Sequence, residues 1–599
     1  MIATKESIQE KIKADVFSLI PQVFGEGVTQ EHIQIQKTKK EFEGQFTIVV
    51  FPFTKLLRKK PEDIGHDLGS ALAEHAGYVK AFNVVKGFLN LEIDSNYWLD
   101  FVLNAEQEEQ YGFATANSKP LVMVEFASPN TNKPLHLGHL RNIFLGNAVA
   151  QILEAAGHEV KKVQIINDRG IHICKSMLAW QEFGQGENPE SSGIKGDKFV
   201  GKYYVKFNDW YKDEMSKLIE SGMSEEEAKE KAFPIVKARE MLVQWEQKDP
   251  EVYGLWEKMN SWCYDGFAVT YKTMGVEFDH LYYESNTYLK GKEEVDKGLA
   301  REILYQKEDG SVWIDLSNEG LDNKLLLRSD GTAVYMTQDI GTAIQRFSDY
   351  PRLHNQIYTV GNEQEYHFKV LFKILQKFGF ERAADNYHLS YGMVDLPEGK
   401  MKSREGTVVD ADDIMSEMQV TAKEMAEESG KLDDITEENQ QEIFRILGLG
   451  ALKYFLLKVD PVKRIVFDPK ASIDFNGNTG PFIQYTYTRI QSLLRNFGGR
   501  IEQPITDNVE LGKIELEIIQ LLHEWPALLK ESAEKYNPAM IANHIYELVK
   551  TYNSFYQSSY ILKEENNDQK LFWLLLSNLT GKTILNSMRL LGIEMPARM

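Results

Sequence analysis

Apolar residues recur along this chain with two different periods, and the change from one to the other marks out its parts. ESIQEKIKADVFSLI near the start spaces its apolar positions as an amphipathic helix does, whereas QFTIVVF and GFLNLEI alternate as half-buried strands do. Residues 1–116 therefore read as a small α/β or α+β domain, closed by the polar segment QEEQYGFATANSKP that ends at Pro120. LVMVEFAS comes next as a buried strand. Leu140, Ile143, Phe144, Ala148 and Ile152 then recur at helical spacing, Gly157 ends that helix, and VKKVQIIND is the next strand. Strand, helix and strand within about forty-five residues make a βαβ unit with the usual right-handed parallel crossover.

From about 190 to 300 the pattern predicts a helical insertion rich in Lys, Glu, Trp and Tyr. Short strands resume at SVWIDL, AVYMTQD, NQIYTVG and HLSYGMV, and beyond about residue 410 every long segment has helical spacing. The expected architecture is an α/β protein with a Rossmann-like parallel-sheet core (117–395), a small N-terminal domain (1–116), a loop and helical region (396–475) and an all-α C-terminal domain (476–599).

At 599 residues the chain is too long for one core. A hydrophobic fraction of 43% with 26% charged residues is that of a soluble globular protein. The start, MIATKESIQEKIK, lacks the apolar core of a signal peptide, and no apolar run approaches the ~18–20 residues of a membrane span. The expectation is a cytoplasmic protein without a membrane partner. Cys174 and Cys263 are too few for a structural zinc site or a disulfide framework, so no protein-bound metal is expected. A net charge of −21 repels polyanions at long range and argues against indiscriminate nucleic-acid binding, though Lys37, Lys39, Lys40, Arg58, Lys59 and Lys60 form local basic runs.

The candidate chemistry sits where the first buried strand meets its helix, in SPNTNKPLHLGHLRN (128–142). In open α/β sheets ligands bind at the carboxyl ends of the strands. A helix N-terminus there offers unpaired N–H groups that suit phosphate. His136 and His139, three residues apart, can donate to one set of phosphate oxygens, Gly138 leaves room for a flat ring, and Lys133 adds a positive charge.

HLGH resembles the His-Ile-Gly-His motif of class I aminoacyl-tRNA synthetases, and SPNTNKPLHLGHLRN resembles the arginyl-tRNA synthetase version of it. The resemblance covers nearly the whole chain. INDRG (166–170) is similar to the family's Asn-Asp-Trp-Gly stretch with Arg169 in place of tryptophan, and RSDGTAVYMTQDIGTA and YTVGNEQEYHF are similar to its amino-acid-binding segments. GPFIQYTYTR and the terminal PARM resemble parts of the anticodon-binding domain. KMKSREG (400–406) resembles the second class I motif but has Ser403 where its second lysine would stand.

That resemblance implies an arginine–tRNA ligase that forms arginyl-adenylate from L-arginine and ATP with Mg2+, then esterifies tRNA(Arg), with activation itself requiring tRNA. It assigns ATP to Lys133, His136, Gly138, His139, Lys400, Met401 and Ser403, with Lys133, His136, His139 and Lys400 as the catalytic donors, Lys133 compensating for the missing lysine and Lys402 or Arg404 assisting. It assigns arginine to Glu125, Ser128, Asn130, Tyr335, Asp339 and Gln364, and tRNA to Tyr485, Arg489 and Met599, with the N-terminal domain at the tRNA elbow. A forked guanidinium calls for carboxylates in bidentate reach, which Asp339 and Glu125 would supply. A monomer is expected. The alternatives are a small-molecule nucleotidylyltransferase, a synthetase for another amino acid, and a catalytically silent tRNA-binding relative. The helical C-terminal third, the two cysteines with Asp339, and the intact His136, Gly138 and His139 count against them in turn.

Overall fold

The computed structural model describes residues 7–25, 29–39, 41–395, 409–428, 436–474 and 477–599. The N-terminal part is α+β. Four antiparallel strands run in the spatial order Ile35–Lys37, Phe46–Val49, Phe88–Ile93, Val79–Val85. Helix Pro61–His75 lies against them, and Gly65 and Gly69 allow its close approach, because a Cβ at either would collide with Val84 or Phe82.

The central α/β part is built on a five-stranded parallel sheet of β1 (Lys119–Glu125), β2 (His158–Ile166), β3 (His280–Tyr283), β4 (Leu353–Gly361) and β5 (Tyr387–Tyr391). Their order is β5-β4-β1-β2-β3, so the chain reverses direction across the sheet between β1 and β4. That reversal leaves a crevice at the carboxyl ends, where ligands of such sheets bind. Helix α1 (Leu137–Ala155) crosses from β1 to β2 and is buried nearly all round. The insertion supplies α2 (Gly196–Glu220) and α3 (Pro250–Met274), and β3 leads into α4 (Glu284–Ala300).

Two sequence expectations change here. AVYMTQD is not a strand: Tyr335 opens helix α5 (Tyr335–Asp349), whose Met336, Ile340 and Ala343 are buried at helical spacing. Four residues of apparent alternation were too few to reveal the longer period. SVWIDL does hold a strand, but in a separate three-stranded antiparallel sheet (Tyr305–Gln306, Val312–Ile314, Lys324–Leu327). The insertion also hides β3, a four-residue edge strand of the core sheet.

Beyond the core, α6 (Ala411–Glu428) and α7 (Glu437–Leu457) lead into a helical bundle that includes α8 (Gly480–Phe497) and α9 (Asn567–Leu590). The N-terminal part docks on this bundle. Lys37 pairs with Glu524 at 2.7 Å, Tyr97 meets His523 Nε2 at 3.1 Å, and Trp525 Nε1 donates to the Tyr111 carbonyl at 3.1 Å. Lys59 pairs with Asp67 at 3.0 Å, so two of the basic candidates are already partnered.

Two buried cations fasten the core to the C-terminal helices. Arg141 on α1 donates to the carbonyl oxygens of Leu456 (3.2 Å), Pro461 (2.9 Å) and Lys463 (3.0 Å), filling the polar gap of the turn after α7. Lys453 on α7 donates to Met274 O at 2.7 Å and to Gly592 O, bridging the end of α3 and the turn after α9; burial pulls its ammonium down to about 8.

Candidate active site

After β1 the chain must leave the sheet sharply, and Ala127 does so with a left-handed φ of 60°. Its N–H donates to Asn142 Oδ1 (2.6 Å), while Asn142 Nδ2 donates to Thr359 O (2.6 Å) and to the Tyr391 hydroxyl (3.1 Å). One buried amide on α1 thus ties together the carboxyl ends of β1, β4 and β5. The loop then runs beside the end of β2, with Asn167 N–H on Pro129 O (2.9 Å) and Thr131 N–H on Asn167 O (3.2 Å). The buried Cys263 thiol donates to Thr131 O at 3.1 Å, a packing role for a thiol that burial keeps protonated.

His136 caps α1 from an extended conformation. Its Nδ1 accepts the Gly138 N–H at 3.2 Å, and His139 Nδ1 accepts the His136 N–H at 3.0 Å. The pair is a capping box in which two imidazoles replace the usual hydroxyl and carboxylate. Both Nδ1 atoms accept, so each neutral ring carries its proton on Nε2 and has that N–H to donate. The ring centroids lie 3.8 Å apart. Burial, reinforced by Lys133, brings His136 down to about 4; burial, His136 and Lys133 hold His139 well below the ordinary histidine value. Gly138 has its own reason to lack a side chain: a Cβ there would lie 3.1 Å from the His136 ring.

These neutral rings have a consequence for stability. His523 and His544 in the C-terminal helices are likewise brought to about 4 by burial. The unfolded chain takes up protons on His136, His523 and His544 below about pH 6.5, which the folded chain does not do until about pH 4. Each such ring should therefore cost the folded state about 1.4 kcal/mol per pH unit across that window. Thermal melting at one scan rate should show a lower midpoint at pH 5 than at pH 7; an equal or higher midpoint would mean that the rings are charged in the folded protein.

The second half of the site is acidic. Glu125, at the end of β1, is buried and paired with Arg346 Nη1 of α5; the Arg346 guanidinium lies 5.0 Å from the Tyr282 ring and 5.6 Å from the Tyr358 ring. Its charge is thus balanced inside the protein by a partner on α5. Asp339, in the second turn of α5, keeps 40% of its side chain exposed and has Oδ2 2.6 Å from His367 Nε2. Tyr335, one turn earlier, is 78% exposed. Gln364 ends the short 3-10 turn after β4, Ser128 is half-buried, and Asn130 is exposed and bridged to Asn167.

Sequence reasoning missed Glu284, the first residue of α4. It is half-buried, and among the described residues its carboxylate makes no hydrogen bond or ion pair. Burial raises its carboxyl to about 7, opposed by Arg169 and helped by Asp168 and Asp339. Asp168 places it: that buried carboxylate accepts from Ser285 N (2.8 Å), Ser285 Oγ (2.7 Å) and the Tyr264 hydroxyl (3.0 Å), fixing the start of α4. Gly291 and Gly341 let α4 and α5 cross in backbone contact, which brings Asp339 near enough to Glu284 to act on its charge. Arg169 lies over the Tyr288 ring at 4.0 Å and pairs with Glu246 at 3.0 Å, so a guanidinium stacked on an aromatic face stands where the family has tryptophan. The sequence signal for Glu284 is an acidic residue directly after a strand, and that strand is only four residues long.

Lys400, Met401 and Ser403, with Lys402 and Arg404, lie outside the described residues. In the helical bundle, the Arg489 guanidinium sits between the Tyr485 (4.9 Å) and Tyr556 (5.1 Å) rings and donates to Asn553 Oδ1, while Met599 packs against the core. Among the described residues no cluster of His, Cys, Asp or Glu could hold a metal ion, and no helix is long and apolar enough to cross a membrane.

Comparison with known proteins finds three family models in succession: the arginyl tRNA synthetase N terminal domain over residues 4–93, the tRNA synthetases class I (R) catalytic domain over 102–468, and the DALR anticodon binding domain over 483–599. The arginine–tRNA ligase of Bacteroides thetaiotaomicron is 57% identical over 99% of this chain and 100% of its own length. That of Flavobacterium psychrophilum is 53% identical over the same shares. In fold, the chain is similar to the solved arginyl-tRNA synthetases of Thermus thermophilus (TM-score 0.78, 22% identity, 99% of this chain and 100% of that one) and Plasmodium falciparum (TM-score 0.77, 18% identity, 100% of both).

Proposed function

This chain belongs to the arginyl-tRNA synthetase family and is an arginine–tRNA ligase, and from that premise we propose how its own residues carry the reaction. The observation that supports the reading best is the reciprocal histidine cap: two neutral imidazoles with Nε2–H to donate, beside Lys133, where β1 gives way to α1. A class I catalytic domain uses ATP. Attack of the arginine carboxylate on the α-phosphorus expels pyrophosphate, and the adenylate is then attacked by the terminal ribose hydroxyl of tRNA. Such phosphoryl chemistry needs placement and charge stabilisation more than covalent help. His136 and His139 donate to the phosphate oxygens, and Lys133 supplies positive charge. Lys400, Met401 and Ser403 bring the second motif to the nucleotide. Magnesium enters as part of the ATP substrate, held by phosphates and water, in keeping with a phosphate side built of N–H donors.

Asp339 receives the guanidinium, with Tyr335 alongside, and Glu284 is the second carboxylate in place of Glu125. Glu125, through Arg346, shapes the floor of the pocket. Ser128, Asn130 and Gln364 hold the α-amino and carboxylate end. Tyr485, Arg489 and Met599 contact the anticodon loop, since splayed bases stack on aromatic rings and on arginine. The division at 116, 395 and 475 assigns the tRNA elbow to the first part and a stem contact to residues 396–475. A cytoplasmic monomer completes the reading.

Pyrophosphate exchange run with arginine, lysine and glutamate, each with and without tRNA, tests it. Exchange should depend on arginine and on tRNA; exchange driven by lysine or glutamate instead would move the pocket elsewhere. Glu284 adds a sharper check. Its carboxyl titrates near 7, so it ionises as pH rises, and arginine affinity should fall as pH drops from 8 to 6. Glu284→Gln should raise the arginine KM about tenfold at pH 8 and flatten that pH profile; a profile as steep as that of the unaltered enzyme would remove Glu284 from the pocket.

A further inference from the structure

The first turn of α2, in the helical insertion, is bound to the start of α6 by a set of charges that the family reaction does not account for. Lys198 Nζ lies 3.2 Å from Asp410 Oδ1 and 2.8 Å from Asp413 Oδ1. Lys195, which caps α2, contacts Asp412 Oδ2 and Thr270 Oγ1 and is 3.3 Å from the buried Asp197. Thr270 Oγ1 donates to the other Asp412 oxygen at 2.9 Å.

Asp410 is the residue on which this set converges. Its carboxylate accepts the Asp412 N–H at 2.8 Å and so caps α6. Its backbone pairs with His136 in an antiparallel bridge, and the next residue, Ala411, donates its N–H to Leu135 O at 2.9 Å. The residue before the cap of α1 and the cap itself are therefore stitched to the cap of α6. On the other side α2 rests directly on Pro134, where a Cβ at Gly201 would come within 2.8 Å of the proline ring. Lys133, Leu135, His136, Lys198, Tyr204 and Asp410 enclose a cavity of about 210 Å3 behind the histidine turn.

We propose that Lys198 is a positioning residue for ATP: by holding Asp410 and Asp413 it presses the start of α6 against Leu135–His136 and sets the height of the His136 ring. This rests on the reading of His136 as a phosphate donor. A neutral donor works only at hydrogen-bond distance, so a small displacement of the turn weakens contact with the nucleotide and leaves the guanidinium side of the arginine pocket, built on α4 and α5, where it was.

The test is tRNA-dependent pyrophosphate exchange with ATP and arginine varied separately. Lys198→Met keeps the aliphatic stem and removes the charge. It should raise the ATP KM about tenfold while the arginine KM stays within about twofold, and Lys198→Arg should return the ATP KM to within about threefold of the unaltered enzyme. Asp413→Asn, at an exposed end of the network where folding is not at risk, should shift the ATP KM in the same direction by about threefold. ATP and arginine KM rising together, or no rescue by arginine, would mean that Lys198 only stabilises the fold. An unchanged ATP KM in Lys198→Met beside a raised one in His136→Asn overturns the inference and leaves the site reading intact. Unchanged values in both overturn the two together.

Discussion

His139→Asn should slow arginine activation by about 10²–10³-fold, the loss measured when one preorganised donor to a developing phosphate or oxyanion charge is removed. The substitution separates the two tasks of this ring. The asparagine Oδ1 can still accept the His136 N–H, so the cap on α1 survives, but no side-chain N–H reaches as far as imidazole Nε2 did. His139→Ala should lose the same catalytic factor and in addition about 1 kcal/mol of stability for the missing cap. The readouts are kcat for pyrophosphate exchange and the thermal midpoint. The asparagine variant should melt with the parent and the alanine variant below it. Because the two rings are in contact and His139 caps the His136 N–H, the double variant His136→Asn/His139→Asn should fall short of the product of the single losses. Activity within tenfold of the parent in His139→Asn would take the ring out of the reaction.

Asp339→Asn should raise the arginine KM by about 30- to 100-fold and change kcat little. Removing one partner from a desolvated charge pair costs about 2–5 kcal/mol, and the lower end applies because the Asp339 side chain keeps 40% of its surface exposed. Asparagine is chosen over alanine because its Oδ1 can keep the contact with His367 Nε2, which holds the side chain in place. The effect then reports lost charge, not a collapsed pocket. Discrimination against lysine should fall as well, since a point ammonium needs the forked carboxylate contact less than a guanidinium does. An arginine KM within threefold of the parent would place the guanidinium elsewhere on the acidic side.

The histidine turn was legible in the sequence because its determinants are contiguous. Strand, loop, cap and helix occupy residues 119–155, and proline, glycine and histidine each leave a local signature. The acidic side was not, because its pairings are distant. Nothing near Glu125 announces that Arg346 will neutralise it from more than two hundred residues away. Nothing near Asp339 announced a helix, because AVYMTQD shows one turn of a period that needs several to declare itself. Glu284 went unseen with β3, a strand too short to stand out among insertion helices. Arg169, in sequence only a departure from the motif, has its explanation in the rings of Tyr288 and Trp245, which the fold alone assembles.

Arg141 carries a consequence for how the chain is made. The carbonyl oxygens it satisfies belong to residues 456–463, more than three hundred positions downstream. At about 5–20 residues per second, a ribosome needs roughly 15–60 s to travel from one to the other. Throughout that interval the guanidinium destined for the core has water as its partner, and α1 cannot be buried all round. The histidine helix is therefore among the first parts of the catalytic core to be synthesised and among the last to be completed, and the nascent chain is exposed to misassembly for most of its birth.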